Sequence, residues 1–87
     1  MGNYKIFIKP SAAKELEGMP SLKDRRKIGA KILGLAENPR PAGSVKLSGE
    51  EKYRLRHRHY RIVYSITEDR REVRVVKIAH RKDVYRG

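Results

Sequence analysis

The sequence contains no cysteine, no long apolar run and few acidic residues relative to basic ones. The absence of cysteine excludes a disulfide framework and a thiolate zinc site. No apolar run approaches the roughly 18 residues that a membrane-spanning helix needs, and no apolar signal segment follows Met1. We therefore expect a cytoplasmic protein that does not contact a membrane. No repeat or low-complexity linker divides the 87 residues, so we expect one domain over residues 1–87.

Basic residues are in large excess along the whole chain. Twenty-two Lys and Arg against ten Asp and Glu give a formal net charge of +12. Residues 1–48 carry ten basic and four acidic side chains and residues 49–87 carry twelve and six, so each half contributes +6. A disordered basic arm would concentrate the charge in one block. The surplus attracts polyanions and makes nucleic acid the leading partner class.

The first half of the chain predicts one strand followed by two helices. Tyr4–Lys9 has strand character and ends at Pro10. Ser11 is a candidate N-cap for a short helix over residues 12–17, which ends at Gly18. Ser21 caps a longer helix, with Asp24 at the third helical position as in a capping box. The apolar face of this helix recurs at helical spacing through Ile28, Ile32, Leu35 and Ala36, and Asn38-Pro39 ends it.

The second half changes to a period of two, which is typical of strands. Val45 and Leu47 predict a short strand, and residues 49–51 predict a turn. Lys52–His57 and Tyr60–Thr67 form the two arms of a predicted hairpin, and Glu72–Ala79 is the last strand, followed by a short charged tail over residues 80–87. The prediction is an α+β domain with an N-terminal strand and a helical hairpin packed on a mostly antiparallel twisted sheet.

The predicted hairpin separates its arginines from its apolar residues. If Arg58 and His59 form a two-residue turn, Arg56 pairs with Arg61, and His57–Tyr60, Leu55–Ile62 and Tyr53–Tyr64 are the other pairs. Because side chains alternate across a strand, Arg54, Arg56 and Arg61 then share the face opposite the apolar residues. Like charges placed opposite one another destabilise a sheet, so we expect an anion on this face. The alternative is a solvated basic face that only keeps the protein in solution.

The predicted last strand brings the C-terminal residues toward the same end of the sheet. It lies next to the Tyr60–Thr67 strand and runs back toward Arg61, which places His80, Arg81 and Tyr85 near the arginines. The loop before this strand leaves the register open, so the sequence does not decide which of His80 and Arg81 faces them. The His57-x-His59 pair has no evident third ligand, and we expect neither a metal site nor a cofactor.

Three stretches resemble the RelE/ParE superfamily of toxin–antitoxin systems: the segment Lys9-Pro10-Ser11-Ala12 before a helical hairpin, the arginine-bearing β-hairpin preceded by Leu47-Ser48-Gly49, and the closing run from His80 to Tyr85. Within this superfamily, the set of basic residues Arg54, Arg56, Arg61 and Arg81 resembles the RelE type. This resemblance implies a RelE-like fold and a ribosome-dependent, metal-free endoribonuclease that cleaves translated mRNA through attack of a 2′-OH group. It also implies a RelB-like antitoxin and the ribosome as partners, and contact with operator DNA only through the antitoxin complex.

The resemblance also implies roles for individual residues. These roles are catalytic for Arg56, Arg61, His80, Arg81 and Tyr85 and RNA-binding for Arg54. We add three further basic residues as RNA-binding candidates: Lys46, Lys52 and Arg58. His80 is the candidate general base because histidine is the side chain type that ordinarily changes charge near neutral pH, whereas arginine is effectively never deprotonated. Two departures are lysine in some members at the positions of Arg54 and Arg56, and glycine in many members in the turn. The alternatives are a ParE-like DNA gyrase inhibitor without nuclease activity, and a degenerate toxin retained as a nucleic-acid-binding module.

Overall fold

The computed structural model describes residues 3–47 and 51–80, in which two helices pack on one face of a five-stranded mixed sheet. The elements in chain order are β1 (Lys5–Ile8), α1 (Pro10–Glu17), α2 (Leu22–Gly34), β2 (Val45–Lys46), β3 (Lys52–His57), β4 (Tyr60–Thr67) and β5 (Glu72–His80). The spatial order is β1-β5-β4-β3-β2, with β1 parallel to β5 and the other neighbours antiparallel. The predicted α+β architecture is confirmed. Neither helix in the described ranges is long and apolar enough to cross a membrane.

The first helix begins earlier than predicted. Pro10 is its first residue rather than only the end of the strand, and Lys9 rather than Ser11 occupies the N-cap position without a side-chain cap bond. Proline suits the first helical position because its missing N–H would have no intrahelical partner there. The strand β1 is correspondingly shorter than the predicted Tyr4–Lys9.

The second helix begins as predicted. The Ser21 hydroxyl accepts a hydrogen bond of 3.1 Å from the backbone N–H of Asp24, which satisfies one of the free donors of the first turn. The helix ends at Gly34, before the predicted end at Asn38-Pro39, and Leu35 follows in a turn while its side chain stays fully buried. Ile28 and Ile32 lie on the same side of the helix as Leu35 and are buried against the sheet.

The predicted hairpin register is confirmed at every pair. Arg56 lies opposite Arg61, and His57–Tyr60, Leu55–Ile62 and Tyr53–Tyr64 are also cross-strand partners. The two-residue turn at Arg58-His59 is present, and Arg58 has a φ of 56°, in the left-handed region. The short strand β2 covers Val45–Lys46 instead of reaching Leu47, and pairs with Arg54 and Tyr53 of β3. Of the predicted turn over residues 49–51, the first two lie outside the described residues.

The register between β4 and β5 contains one irregularity. Tyr64 pairs with Val75 and Val63 pairs with Lys77, so Val76 is an extra residue on β5. A bulge of this kind reverses the side to which the following residues point. Beyond it, Ile78 pairs with Ile62 and His80 pairs with Tyr60. The bulge therefore decides which residues at the end of β5 face the helices.

The core lies between the helices and the sheet. The largest fully buried side chains are Tyr64, Ile28, Ile32, Leu35, Ile62, Val73 and Val75. The hydroxyl of Tyr64 donates a hydrogen bond of 2.7 Å to the Pro39 carbonyl, which satisfies a polar group inside the core. Because one face of β3 and β4 packs in this core, the side chains on their other face point away from the helices.

Candidate nucleic-acid interface

The arginine face consists of Arg54 and Arg56 on β3 and Arg61 on β4. These residues alternate with the buried Tyr53, Leu55 and Ile62, so their side chains project from the sheet face opposite the helices. Cβ atoms of directly opposed residues in an antiparallel pair lie about 4.5–5.5 Å apart, so the pairing of Arg56 with Arg61 brings two positive side chains together. The arrangement predicted from the sequence is thus present in the fold.

Among the described residues, the guanidinium groups of this face have no protein counterion. Within residues 3–47 and 51–80, no hydrogen bond or ion pair reaches the guanidinium groups of Arg54, Arg56 or Arg61. Arginine presents a planar fork of N–H donors that matches the geometry of a phosphate group. The face therefore has the donor chemistry of a phosphate-binding surface, and no residue of the described ranges neutralises it.

The four predicted RNA-binding residues do not all lie on this face. Lys52 and Arg54 alternate in phase with Arg56, and Lys52 lies opposite Ser65 of β4. Lys46 pairs with Tyr53 on the helix-side face, and its Nζ lies 3.0 Å from a carboxylate oxygen of Glu51. That contact raises the pKa of Lys46.

Arg58 lies in the hairpin turn and approaches a residue on α2. Its guanidinium is 3.6 Å from Asp24, which is also on the helix side of the sheet. The structure therefore separates Lys46 and Arg58 from the arginine face.

His80 lies on the helix side, away from the arginine face. Its ring packs edge-on against Tyr60, with 5.1 Å between ring centroids, and it borders a cleft of about 460 Å³ lined by Met19 and Ile78. The cross-strand neighbour of Arg61 is Ala79 instead. Arg81 and Tyr85 lie outside the described residues, and their predicted roles stay predictions. Of the five predicted catalytic residues, the described structure thus brings together Arg56 and Arg61.

A contact that the sequence did not reveal links the hairpin turn to α2. The Nε2 atom of His57 lies 3.4 Å from Oδ1 of Asp24, and both side chains are nearly buried. Lys31 of α2 donates a hydrogen bond of 3.0 Å to the carbonyl of Arg56. Both contacts hold α2 against β3, and the first of them gives His57 a structural role. No group of three or more His, Cys, Asp or Glu in the described part of the chain is placed to hold a metal ion.

Residues 6–85 match the family model described as the ParE toxin of type II toxin–antitoxin systems. The chain therefore belongs to this family of toxins, within the RelE/ParE superfamily. No curated protein matches the chain.

Several solved toxins share the fold. The isolated RelE toxin of E. coli is 26% identical, with 95% of this chain and 92% of that chain covered and a TM-score of 0.77. The toxin chain of the intact E. coli RelBE toxin–antitoxin complex is also 26% identical, with coverage of 88% and 95% and a TM-score of 0.75. The archaeal RelE–RelB complex of Pyrococcus horikoshii is 22% identical, with coverage of 91% and 96% and a TM-score of 0.78, and this likeness shows the fold.

Proposed function

We propose that this toxin is a metal-free endoribonuclease that cleaves translated mRNA on the ribosome, in the cytoplasm. The observation that carries the proposal is the cross-strand pair Arg56–Arg61, with Arg54 beside it, on a face where no described residue acts as a counterion. A toxin that acts only by binding another protein does not need three adjacent arginines whose mutual repulsion weakens its own sheet. Structural similarity to the RelE toxin of E. coli adds support.

The chemistry requires positive charge more than any other contribution. The 2′-oxygen attacks the adjacent phosphorus, the bond from phosphorus to the 5′ oxygen breaks, and the products are a cyclic phosphate and a 5′-hydroxyl. Negative charge accumulates on the phosphate oxygens during this step, and fixed cationic donors stabilise it. We assign Arg56 and Arg61 to the scissile phosphate, and Lys52 and Arg54 to the flanking backbone. Arg81 and Tyr85 remain proposed catalytic residues.

The reaction also needs a general base and a general acid, and the described residues supply these less clearly than they supply positive charge. The 2′-OH must lose a proton and the 5′ oxygen must gain one. His80 is the proposed base, but its ring packs on Tyr60 on the helix side of the sheet. It would reach a phosphate held by Arg61 only around the end of β5. This separation makes His80 a weaker candidate than the sequence indicated, and favours a site that depends on the ribosome to orient the substrate.

The second candidate function is inhibition of DNA gyrase without nuclease activity. The match to the ParE toxin family model favours it. A gyrase inhibitor would arrest growth with DNA breaks and would leave translated messages intact. The same expression experiment therefore separates the two functions.

The test is induced expression followed by mapping of 5′-hydroxyl RNA ends on translated messages. We expect cuts in register with the reading frame for the wild type and none for Arg61→Ala. Arg61→Lys keeps the charge without the planar fork and should retain only part of the activity. Arg70→Ala removes an exposed arginine in the turn before β5 and serves as the control that keeps full activity. Growth arrest without RNA cuts would contradict the proposal and favour gyrase.

We also propose a cognate RelB-like antitoxin as a partner. Support comes from the RelE toxins solved with RelB antitoxins. An apolar groove of about 410 Å³ runs between the helices and β1, with Leu16, Gly29 and Ala30 along it, and Ile8 and Leu33 exposed at 38% and 69%. The strongly basic chain would complement an amphipathic antitoxin helix with apolar anchors and acidic flanks.

Leu33→Glu tests this docking. The substitution places a charge in the groove at a solvent-exposed position of α2, so the toxin should fold normally. Co-expression with the antitoxin should then rescue growth less well than for the wild type, whereas Leu22→Glu, which changes an exposed leucine outside the residues lining the groove, should be rescued fully. Equal rescue of both variants would exclude the groove as the antitoxin site.

A further inference from the structure

The solvent-facing side of α2 carries a row of lysines that the proposed chemistry does not use. Lys23, Lys27 and Lys31 follow one another at four-residue spacing, so they lie about 6 Å apart along the helix axis. All three are exposed. Like charges at this spacing destabilise a helix. The row is therefore unfavourable for the isolated fold, as is the arginine pair on the sheet.

The single acidic residue of α2 does not neutralise this row. Asp24 is nearly buried, and its carboxylate faces His57 and Arg58 of the hairpin. No hydrogen bond or ion pair engages the ammonium groups of Lys23 and Lys27 in the described residues. The outer side of α2 thus carries unneutralised positive charge.

The row and the arginine face lie on opposite sides of the sheet and approach each other at the edge of β3. Lys31 donates a hydrogen bond to the backbone carbonyl of Arg56, which places the Lys31 end of the row at this edge. The strand β2 pairs with Tyr53 and Arg54, and no strand in the part of the chain that the structure describes lies on the outer side of Arg56. Positive side chains therefore continue from the sheet face, past this edge, to the outer side of α2.

We propose that single-stranded RNA held on the arginine face continues around this edge of β3, and that Lys23 and Lys27 bind its phosphates outside the site of cleavage. A phosphate backbone needs only cations, whereas a docked protein helix needs apolar anchors. The row supplies cations, and the apolar groove lies on the side of α2 toward α1. The inference rests on the proposed function, because it extends the same RNA path.

The test is binding of a single-stranded 2′-O-methyl oligouridine, measured by fluorescence anisotropy over a series of salt concentrations. The methylated 2′ position removes the nucleophile, so binding is measured without cleavage. For Lys23→Ala/Lys27→Ala we expect several-fold weaker binding. The slope of log affinity against log salt should fall by about 1.4, because each phosphate contact to a single strand contributes about 0.7. Alanine favours helix and relieves the repulsion, so thermal melting should show no loss of stability.

The matched control is Lys9→Ala/Lys14→Ala, which removes the same charge from exposed positions at α1. It should leave the salt slope unchanged. Equal slopes and affinities for the two double variants would overturn the inference. The inference would also be overturned if Lys23→Ala/Lys27→Ala kept its affinity for oligouridine but lost its affinity for poly-L-glutamate, because the lysines would then bind an acidic polypeptide. If Lys23→Ala/Lys27→Ala binds oligouridine more weakly but the wild type produces no RNA cuts in cells, the nuclease proposal fails and the lysine row remains an RNA-binding surface. If the wild type produces in-frame cuts but the two double variants bind oligouridine equally, the nuclease proposal stands and the inference about the lysine row fails.

Discussion

Arg56 and Arg61 are direct cross-strand partners in the β3–β4 hairpin, and no described side chain neutralises either guanidinium. A hairpin that served only the fold would place opposite charges or β-branched residues there. The pair therefore lowers the stability of the free protein, and under the proposed function it binds a phosphate. Both effects can be measured on one variant.

Replacing Arg61 with threonine should stabilise the protein and reduce RNA cleavage together. Loss of the like-charge pair and gain of a β-branched residue should add roughly 0.2–1 kcal/mol to the free energy of unfolding. For a domain of this size that corresponds to a rise in Tm of up to about 4–8 °C. Thermal melting and mapping of RNA ends measure the two effects. A fall in Tm would show that Arg61 makes a stabilising contact.

Arg58→Gly should stabilise the hairpin turn. Arg58 has a positive φ of 56°, whereas His59 keeps a negative one, which is the pattern of a turn that favours glycine at its first central position. Relief of this strain should add about 1 kcal/mol to the free energy of unfolding. Loss of the exposed ion pair between Arg58 and Asp24 should offset only a small part of this gain. His59→Gly, at a position without this strain, should instead lower it by about 0.4–1 kcal/mol. Urea denaturation of both variants checks the sign of each change.

Tyr64→Phe should destabilise the core by about 1–3 kcal/mol, because it leaves the Pro39 carbonyl without its donor in a buried position. Tyr53→Phe is the comparison. The Tyr53 hydroxyl accepts a bond of 3.0 Å from Nε of Arg40, whose side chain is partly exposed, so water can replace the lost partner. Urea denaturation should therefore rank Tyr64→Phe as clearly more damaging. Equal losses would mean that the loop holding Pro39 relaxes to solvent.

Glu68 should make stability depend on acid pH. The Tyr4 hydroxyl and then Arg40 hold the pKa of Glu68 below its usual value. The unfolded chain therefore binds a proton at Glu68 more tightly than the folded chain does. The stabilising contribution of Glu68 is present above the ordinary glutamate pKa of about 4.3 and is lost as pH falls through the lower folded pKa. Glu68→Gln should flatten this acid-side loss in urea titrations, whereas Glu17→Gln, at the exposed end of α1, should not. Identical pH profiles for wild type and Glu68→Gln would contradict the assignment.

Features that neighbouring residues set were the more predictable part of the fold. The pairing of β3 with β4 was predictable because a two-residue turn fixes the register and a period of two fixes the face. The start of α2 was equally predictable, since Ser21 bonds within the first helical turn. The start of α1 was not, because Pro10 ends a strand and begins a helix equally well.

The order of residues along the chain is enough to place three arginines on one face of a hairpin and the apolar residues of the same strands toward the helices. Tertiary structure decided the side on which His80 lies. Unbroken alternation from Val73 and Val75 would point His80 toward the arginines, and the extra residue Val76 reverses this. Tertiary structure also drew Arg58 toward Asp24 and Lys46 toward Glu51. Alternation is a property of one strand, whereas bulges and ion pairs depend on which distant segments meet, and that is settled only when the whole chain packs.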